Sequence, residues 1–525
     1  MTAFRWNIPA RFNIGADVAD RPAAQGAKLA LIELDPKGTA REFSFADISA
    51  LSSRLANVFV AHGLQRGDRV AILMPQRHET AVAHVAAYKA GLVAVPLFTL
   101  FGEEALEFRL GNSGARAVVT DRDQLPKLAG LRDRLPGLQA VFCADGPADG
   151  ALDLHAALSR ASPDFSPINT AADDPAVIIY TSGTTGQPKG ALHAHRVLLG
   201  HLPGVEVPHD GFPQPGDRFW TPADWAWIGG LFDVLLPAWH HGVPVVAHRP
   251  RKFDPGEALD LIARYQIRNV FMPPTALKLL RASGAANPAA RLRSLASGGE
   301  SLGEDLIDWG RGALGLTINE FYGQTECNLM VGNGKGLPPV RPGFTGHAFP
   351  GHTVAIVDDE GRELPADTPG NIAFRSPDPV MFLGYWDNPA ATAAKFRGDW
   401  LLSGDTGLRD EAGYLRFVGR DDDVITSGGY RIGPGEIETC LSRHPAVALA
   451  AVVGEPDPIR TEVVKAVIVL RPGYTGSPAL AAELQEHVRT RLAAHEYPRI
   501  VEFRAELPLT ATGKIIRRAL RSKKT

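Results

Sequence analysis

The chain has 525 residues, enough for several cores, and its 45% hydrophobic and 22% charged residues are those of an ordinary globular protein. A formal net charge of −3 with no long interior run of one sign excludes a general nucleic-acid binder, and no apolar stretch is long enough to span a bilayer. The three cysteines, Cys143, Cys327 and Cys440, stand far apart, so neither a disulfide framework nor a zinc spacing is expected. With no apolar signal core around Met1–Asn7, the expectation is a cytosolic, reducing location.

Residues 69–74 read as a short apolar strand stopped by Pro75, and residues 79–90 as an alanine-rich helix with Val82, Val85 and Ala86 at helical spacing, closed by Gly91. Residues 93–98 follow as a strand, 103–110 as a helix and 117–120 as a strand. The pattern resumes at 243–247, 269–272 and 294–297, with Pro203, Pro208, Pro213 and Pro215 marking an exposed connection. This alternation predicts an α/β fold with parallel-rich sheets covered by helices. Strand-like segments broken by Gly361, Gly370 and Gly413 predict a β-rich subdomain. Residues 435–441 (helix), 449–453 and 463–470 (strands) and 479–493 (helix) then form a small α+β unit. The expected division is a large domain over 1–420 and a C-terminal one over 421–525.

The most informative segment is Tyr180-Thr181-Ser182-Gly183-Thr184-Thr185-Gly186-Gln187-Pro188-Lys189-Gly190, which follows an apolar strand. Glycines let backbone N–H groups approach a polyphosphate, hydroxyls donate hydrogen bonds and the lysine neutralises charge. Pro188 and Gly190 rule out a Walker A loop, which needs glycine before the lysine and Ser or Thr after it. Further segments follow: Ser297-Gly298-Gly299-Glu300-Ser301-Leu302, Asn319-Glu320-Phe321-Tyr322-Gly323-Gln324-Thr325-Glu326, and Ser403-Gly404-Asp405-Thr406-Gly407. After them stand Arg420-Asp421-Asp422-Asp423, then Ser427-Gly428-Gly429-Tyr430-Arg431, and finally Leu507-Pro508-Leu509-Thr510-Ala511-Thr512-Gly513-Lys514. The segment Ser297–Leu302 has the look of a carrier-protein attachment site, but no carrier-sized helical bundle follows it.

In this order the segments resemble the adenylate-forming superfamily of acyl-CoA synthetases, firefly luciferase and peptide-synthetase adenylation domains. The resemblance spans nearly the whole chain and implies a two-step reaction. A carboxylic acid and ATP give an acyl adenylate and pyrophosphate, and coenzyme A then displaces AMP to give a thioester. It implies that Thr181, Ser182, Gly183, Thr184, Thr185, Gly186 and Lys189 hold phosphates, and that Gly299, Glu300 and Ser301 lie along the adenine. Tyr322 would stack on that ring, Gln324 would join the nucleotide site and Thr325 would contact the α-phosphate. Glu326, with Thr184, would bind Mg²⁺, a hard ion suited to carboxylate oxygen. Asp405 and Arg420 would contact the ribose, Asp422 would be the hinge of a mobile C-terminal domain, and Gly428, Gly429, Tyr430 and Arg431 would line the coenzyme A tunnel. Gly428 stands where the family pattern suggests serine, which predicts a looser loop. Lys514 would be the catalytic lysine of the adenylation step, open to control by a lysine acyltransferase.

For the acyl pocket the resemblance points to Trp227, Ile228, Gly229, Gly298 and Gly323. Asp224, a possible amine clamp, is discounted. In acetate-using relatives a tryptophan occupies the position of Gly323, so its absence predicts room for a short or medium-chain, branched or aryl-substituted acid. The alternatives are an adenylating enzyme that loads a carrier protein or an amine, and an inactive scaffold. Against the scaffold stand Lys189, Glu326, Asp405, Arg420 and Lys514, all present.

Overall fold

A computed structural model describes residues 4–26, 28–35, 37–181, 187–248, 250, 252–299, 302–420, 423–508 and 515–521. The β-α alternation builds two large sheets. In the eight-stranded one, Arg69–Leu73 lies between Val93–Pro96 and Ala115–Thr120, all parallel, and the antiparallel pair Pro175–Thr181 and Lys189–Ala194 extends it. In the nine-stranded sheet, Ser294–Ser297 and Ile318–Gln324 run parallel, and Asn328–Gly332 turns back antiparallel on the latter. The strand expected at 93–98 ends at Pro96, and those expected at 69–74 and 117–120 differ from the observed bounds by one or two residues.

The spacing of Val82, Val85 and Ala86 suggests a helix that buries one face. In His78–Lys89 all the side chains are buried, within an apolar cluster that takes residues from both large sheets, and this explains its small residues. Lys89, fully buried at its end, donates to Asp20 Oδ1 at 2.5 Å and to Ser53 Oγ at 3.1 Å, so its charge is paired.

A five-stranded antiparallel sheet follows, with Gly370–Arg375 and Leu415–Arg420 on either side of Trp400–Arg409. The C-terminal sheet centres on the hairpin Val447–Asp457 and Thr461–Leu470, which is longer than the sequence predicts. The helices Pro434–Ser442 and Pro478–Arg491 pack on it. Its strands Ile425–Ser427 and Tyr430–Ile432 are joined by Gly428 and Gly429, at φ 59° and 84°. Two successive left-handed residues form the tight turn that fits hairpin twist, and glycine adopts it without strain. The second glycine therefore fits the geometry of this turn.

The C-terminal unit docks on the helix Glu103–Ser113. Ala494 N donates to Leu100 O at 3.2 Å, and a Cβ on Gly102 would lie 2.4 Å from Thr490 O, so only glycine permits this approach. Between the two units Arg109 lies 3.7 Å from Glu436, both buried, with Phe101 4.1 Å from the guanidinium. Burial pushes the carboxyls of Glu436 and Glu496 up, and the charge of Glu436 raises Glu496 further, while Arg109 opposes both shifts. Glu104, Arg443 and Arg491 form ion pairs beside them, with Cys440 and His495 nearby.

This interface predicts a pH dependence of docking. A glutamate raised in the docked state keeps its proton there and loses it when undocked. Docking is therefore strongest below the ordinary carboxylate pKa, weakens as pH rises from there toward about 8, and levels off beyond. Hydrogen exchange at Leu100–Gly102 should quicken across that window in the wild type and change less in Glu496→Gln. An equally steep change in the variant would contradict the assignment.

Candidate active site

The strand Ile318–Gln324 carries alternate side chains to opposite faces, and its end turns sharply into Asn328–Gly332. At this point a cavity of about 160 Å³ is lined by Trp227, Ile228, Gly229, Gly299, Tyr322, Gly323, Gln324, Thr325, Asp405 and Gly429. These residues come from sequence positions far apart, and the fold brings them together.

Asp405 lies on Trp400–Arg409, in a different sheet from Tyr322 and Gln324. Its Oδ2 accepts from Tyr322 Oη at 2.6 Å and from Gln324 Nε2 at 3.1 Å. Gln324 Nε2 also donates to Ser403 O at 2.9 Å. Bonds to a carboxylate are about twice as strong as neutral ones, so this node holds the cavity wall firmly. Arg420 pairs through its backbone with Asp405. Burial and the Asp405 charge push the Tyr322 hydroxyl well up, keeping it a donor.

Glu326 is buried and accepts from Tyr385 Oη at 2.5 Å. The Lys189 ammonium lies 5.3 Å from the same tyrosine ring. Lys189 is part of the strand Lys189–Ala194, paired with Thr181 across the hairpin, so the two ends of the segment expected to hold phosphates are fixed side by side. His193 on that strand is buried, and burial lowers its pKa to about 4, so it stays neutral beside Glu326.

The C-terminal unit reaches this cavity through Thr426, Gly429 and Thr461. A Cβ on Gly429 would lie 3.5 Å from Pro273, so the hairpin tip packs against the large unit. Tyr430 does not line the cavity; its ring stacks on His495 at 4.0 Å. Asp224 is buried and accepts from Ala226 N at 3.0 Å, which fits the discounted amine clamp. The predicted residues Ser182, Gly183, Thr184, Thr185, Gly186, Glu300, Ser301, Asp422 and Lys514 lie outside the described residues.

The expectation of space at Gly323 is overturned. A Cβ there would sit 1.2 Å from Asn328 O and 2.9 Å from Leu329 N. The missing side chain accommodates the returning backbone of its own hairpin and opens no room for substrate. Gly298 is likewise needed for packing, since its Cβ would lie 2.4 Å from the Phe321 ring, and it does not line the cavity. At Gly229 a Cβ would meet Phe271 at 3.0 Å and Trp227 at 3.1 Å.

Other lining residues carry no motif that singles them out in the sequence: Asp233, Asn328, Leu329, Thr345 and Phe417. Glu320 also lines the cavity and lies within the segment 319–326, where the resemblance implies no role for it. Burial raises the Glu320 carboxyl to about 7. The available signal for Asp233 is its isolation in the apolar run Ile228–Leu236.

Residues 18–386 match the AMP-binding enzyme family, and residues 436–514 match the AMP-binding enzyme C-terminal domain. The chain belongs to the AMP-binding enzyme family. It is 37% identical to the mitochondrial acyl-coenzyme A synthetase ACSM2 of Rattus norvegicus, over 98% of this chain and 92% of that protein. An acyl-CoA synthetase of Brucella canis matches in structure with a TM-score of 0.73 and 36% identity, over 99% of this chain and 95% of that one. The amide bond synthetase McbA of Marinactinospora thermotolerans matches with a TM-score of 0.85 and 26% identity, over 97% and 99%.

These relatives correct the expected location. The rat protein and its human counterparts are mitochondrial, so the cytosolic placement does not stand. Scarce, unpaired cysteines fit any reducing compartment and do not single out the cytosol. No helix among the described residues is long and apolar enough to cross a membrane.

The geometry at Gly323 sets a prediction. Gly323→Ala should lower stability by about 1–3 kcal/mol, because backbone must move to admit the methyl group. It should also lower kcat/KM for all acids by one common factor. Thermal melting and pyrophosphate release across an acid series check this; an unchanged melting temperature with a shift toward short acids would contradict it.

Proposed function

We propose that this cavity is the active site of an AMP-forming acyl-CoA synthetase acting on a short or medium-chain, branched or aryl-substituted carboxylic acid. The observation that carries the reading is the meeting of three elements in one cavity: the Asp405–Tyr322–Gln324 node, the Trp227–Ile228 wall and the Gly429 hairpin tip. They suit, in turn, a nucleotide, an acyl group and a thiol.

In the first step the substrate carboxylate attacks the α-phosphorus of ATP; the new P–O bond forms as the bond to pyrophosphate breaks. Asp405 accepts from the ribose hydroxyls, and Tyr322 and Gln324 fix its position. Tyr322 and Gly299 flank the adenine, and Thr325 donates to the α-phosphate. Thr181 and Lys189, at the two ends of the loop holding Ser182–Gly186, steady the departing phosphates. Lys514 neutralises the approaching anions, mostly an electrostatic contribution. In the second step the coenzyme A sulfur attacks the acyl carbon and AMP leaves. Gly428, Gly429, Tyr430 and Arg431 then border the thiol's path.

The buried carboxylate of Glu326, held by Tyr385, offers the hard oxygen that Mg²⁺ prefers, with Thr184 as its companion. Bound there, Mg²⁺ would screen the phosphate charge. The proposed division is 1–420 and 421–525, with Asp422 as the pivot between the two half-reactions.

A second reading, transfer of the acyl group to an amine, is favoured by the likeness to an amide bond synthetase. AMP release that requires coenzyme A, and no amine, decides for the thioester. A screen of acids graded in length and branching should show such release; none from any acid would overturn the proposal. Lys514→Ala should lower pyrophosphate release by roughly 10²–10³ while a preformed acyl adenylate still yields thioester. Equal losses in both steps would contradict the role given to Lys514.

A further inference from the structure

The apolar wall formed by Trp227, Ile228, Gly229 and Leu329 is interrupted by two polar side chains, Asp233 and Asn328. Asp233 follows Gly229 by one helical turn, so both reach the same face of the segment. Asn328 sits at the hairpin turn with φ 36°, a left-handed conformation that asparagine tolerates. Its Nδ2 donates to Asp233 Oδ1, and both side chains are buried.

Behind them stands His201, fully buried on the helix Val197–Glu206. Its Nδ1 is bonded to Val197 O at 2.7 Å. Its Nε2 lies 4.0 Å from Asp233 Oδ1 and has no hydrogen-bond partner among the described residues. Burial pushes the Asp233 carboxyl well above its usual range, which favours its protonated form, and lowers His201 to about 3, so its imidazole is neutral.

A pocket built only for hydrocarbon has no use for a carboxyl in its wall, where an unsatisfied polar group is costly. A neutral carboxyl both donates and accepts, which suits a hydroxyl. An ammonium group would require the buried acid to ionise, and a second carboxylate would find no cation among the described lining residues.

Building on the acyl-CoA synthetase reading, we infer that Asp233, held by Asn328, is a specificity-determining residue that hydrogen-bonds a hydroxyl on the acyl group, so that the acid activated here is a hydroxyalkanoic or hydroxyaryl acid.

The test uses matched acids that differ by one hydroxyl: hexanoate with 6-hydroxyhexanoate, and 3-phenylpropanoate with 3-(4-hydroxyphenyl)propanoate. Pyrophosphate release is measured for wild type, Asp233→Leu and Asp233→Asn. Wild type should favour the hydroxylated member of at least one pair by about 10–100-fold in kcat/KM, the range expected when a buried polar group is left unpaired. Asp233→Leu should bring that ratio near one or reverse it, chiefly by raising KM for the hydroxylated acid, with Asp233→Asn intermediate. If Asp233→Leu does not fold, wild-type affinities for the unreactive acyl sulfamoyl adenosines of the same pairs make the comparison. A preference for the plain acid in every pair, or one common loss for both members in the variants, overturns this inference alone. No pyrophosphate from any acid overturns the acyl-CoA synthetase reading and this inference with it.

Discussion

Asp405 is a buried carboxylate at the seam between two sheets, and the shape of the site depends on how it is bound. It receives Tyr322 and Gln324 from the strand Ile318–Gln324, while its own strand belongs to the antiparallel sheet beyond. Loss of one of these donors would leave a buried acceptor short of a partner, which costs more than the bond itself contributes. Tyr385 and Glu326 make a second tie of the same kind beside it. A site that must bring two anions together needs polar groups fixed in advance, because reorganising them during the reaction would cost part of the stabilisation they supply.

The backbone imposes the second constraint. Gly298, Gly323 and Gly102 each stand where another segment passes too close for any side chain. From sequence alone a glycine in a substrate-binding motif reads as open space. In the folded protein the space at two of these glycines is filled by Phe321 and Asn328. The cavity proposed for the acyl group is therefore shaped by what surrounds it, chiefly Trp227, Ile228 and Leu329, rather than by the missing side chains at Gly298 and Gly323.

Much of the fold was legible in the sequence, because a short apolar strand ending near Pro75 and a helix closed by Gly91 carry local signals, although the strand expected at 93–98 stops early at Pro96. The full burial of His78–Lys89 was not, since it depends on both large sheets. Asp405 was legible as a site residue through its motif, but its bonds to Tyr322 and Gln324 join positions about eighty residues apart, beyond the reach of any local pattern. Asp233 and Asn328 form a pair across ninety-five positions, and no local pattern reveals it for the same reason. The Gly428-Gly429 pair shows a different limit: composition suggests slackness, whereas in the fold both glycines sit in a tight hairpin turn with positive φ, which glycine adopts without strain.

In the proposed reaction the substrate carboxylate itself attacks the α-phosphorus of ATP. Carrying out the reaction with an acid whose carboxylate oxygens are isotopically heavy, followed by mass spectrometry of the nucleotide product, tests it most directly. The expected product is AMP bearing a single heavy oxygen, with unlabelled pyrophosphate. Heavy oxygen in inorganic phosphate or pyrophosphate, or AMP without label, would contradict it.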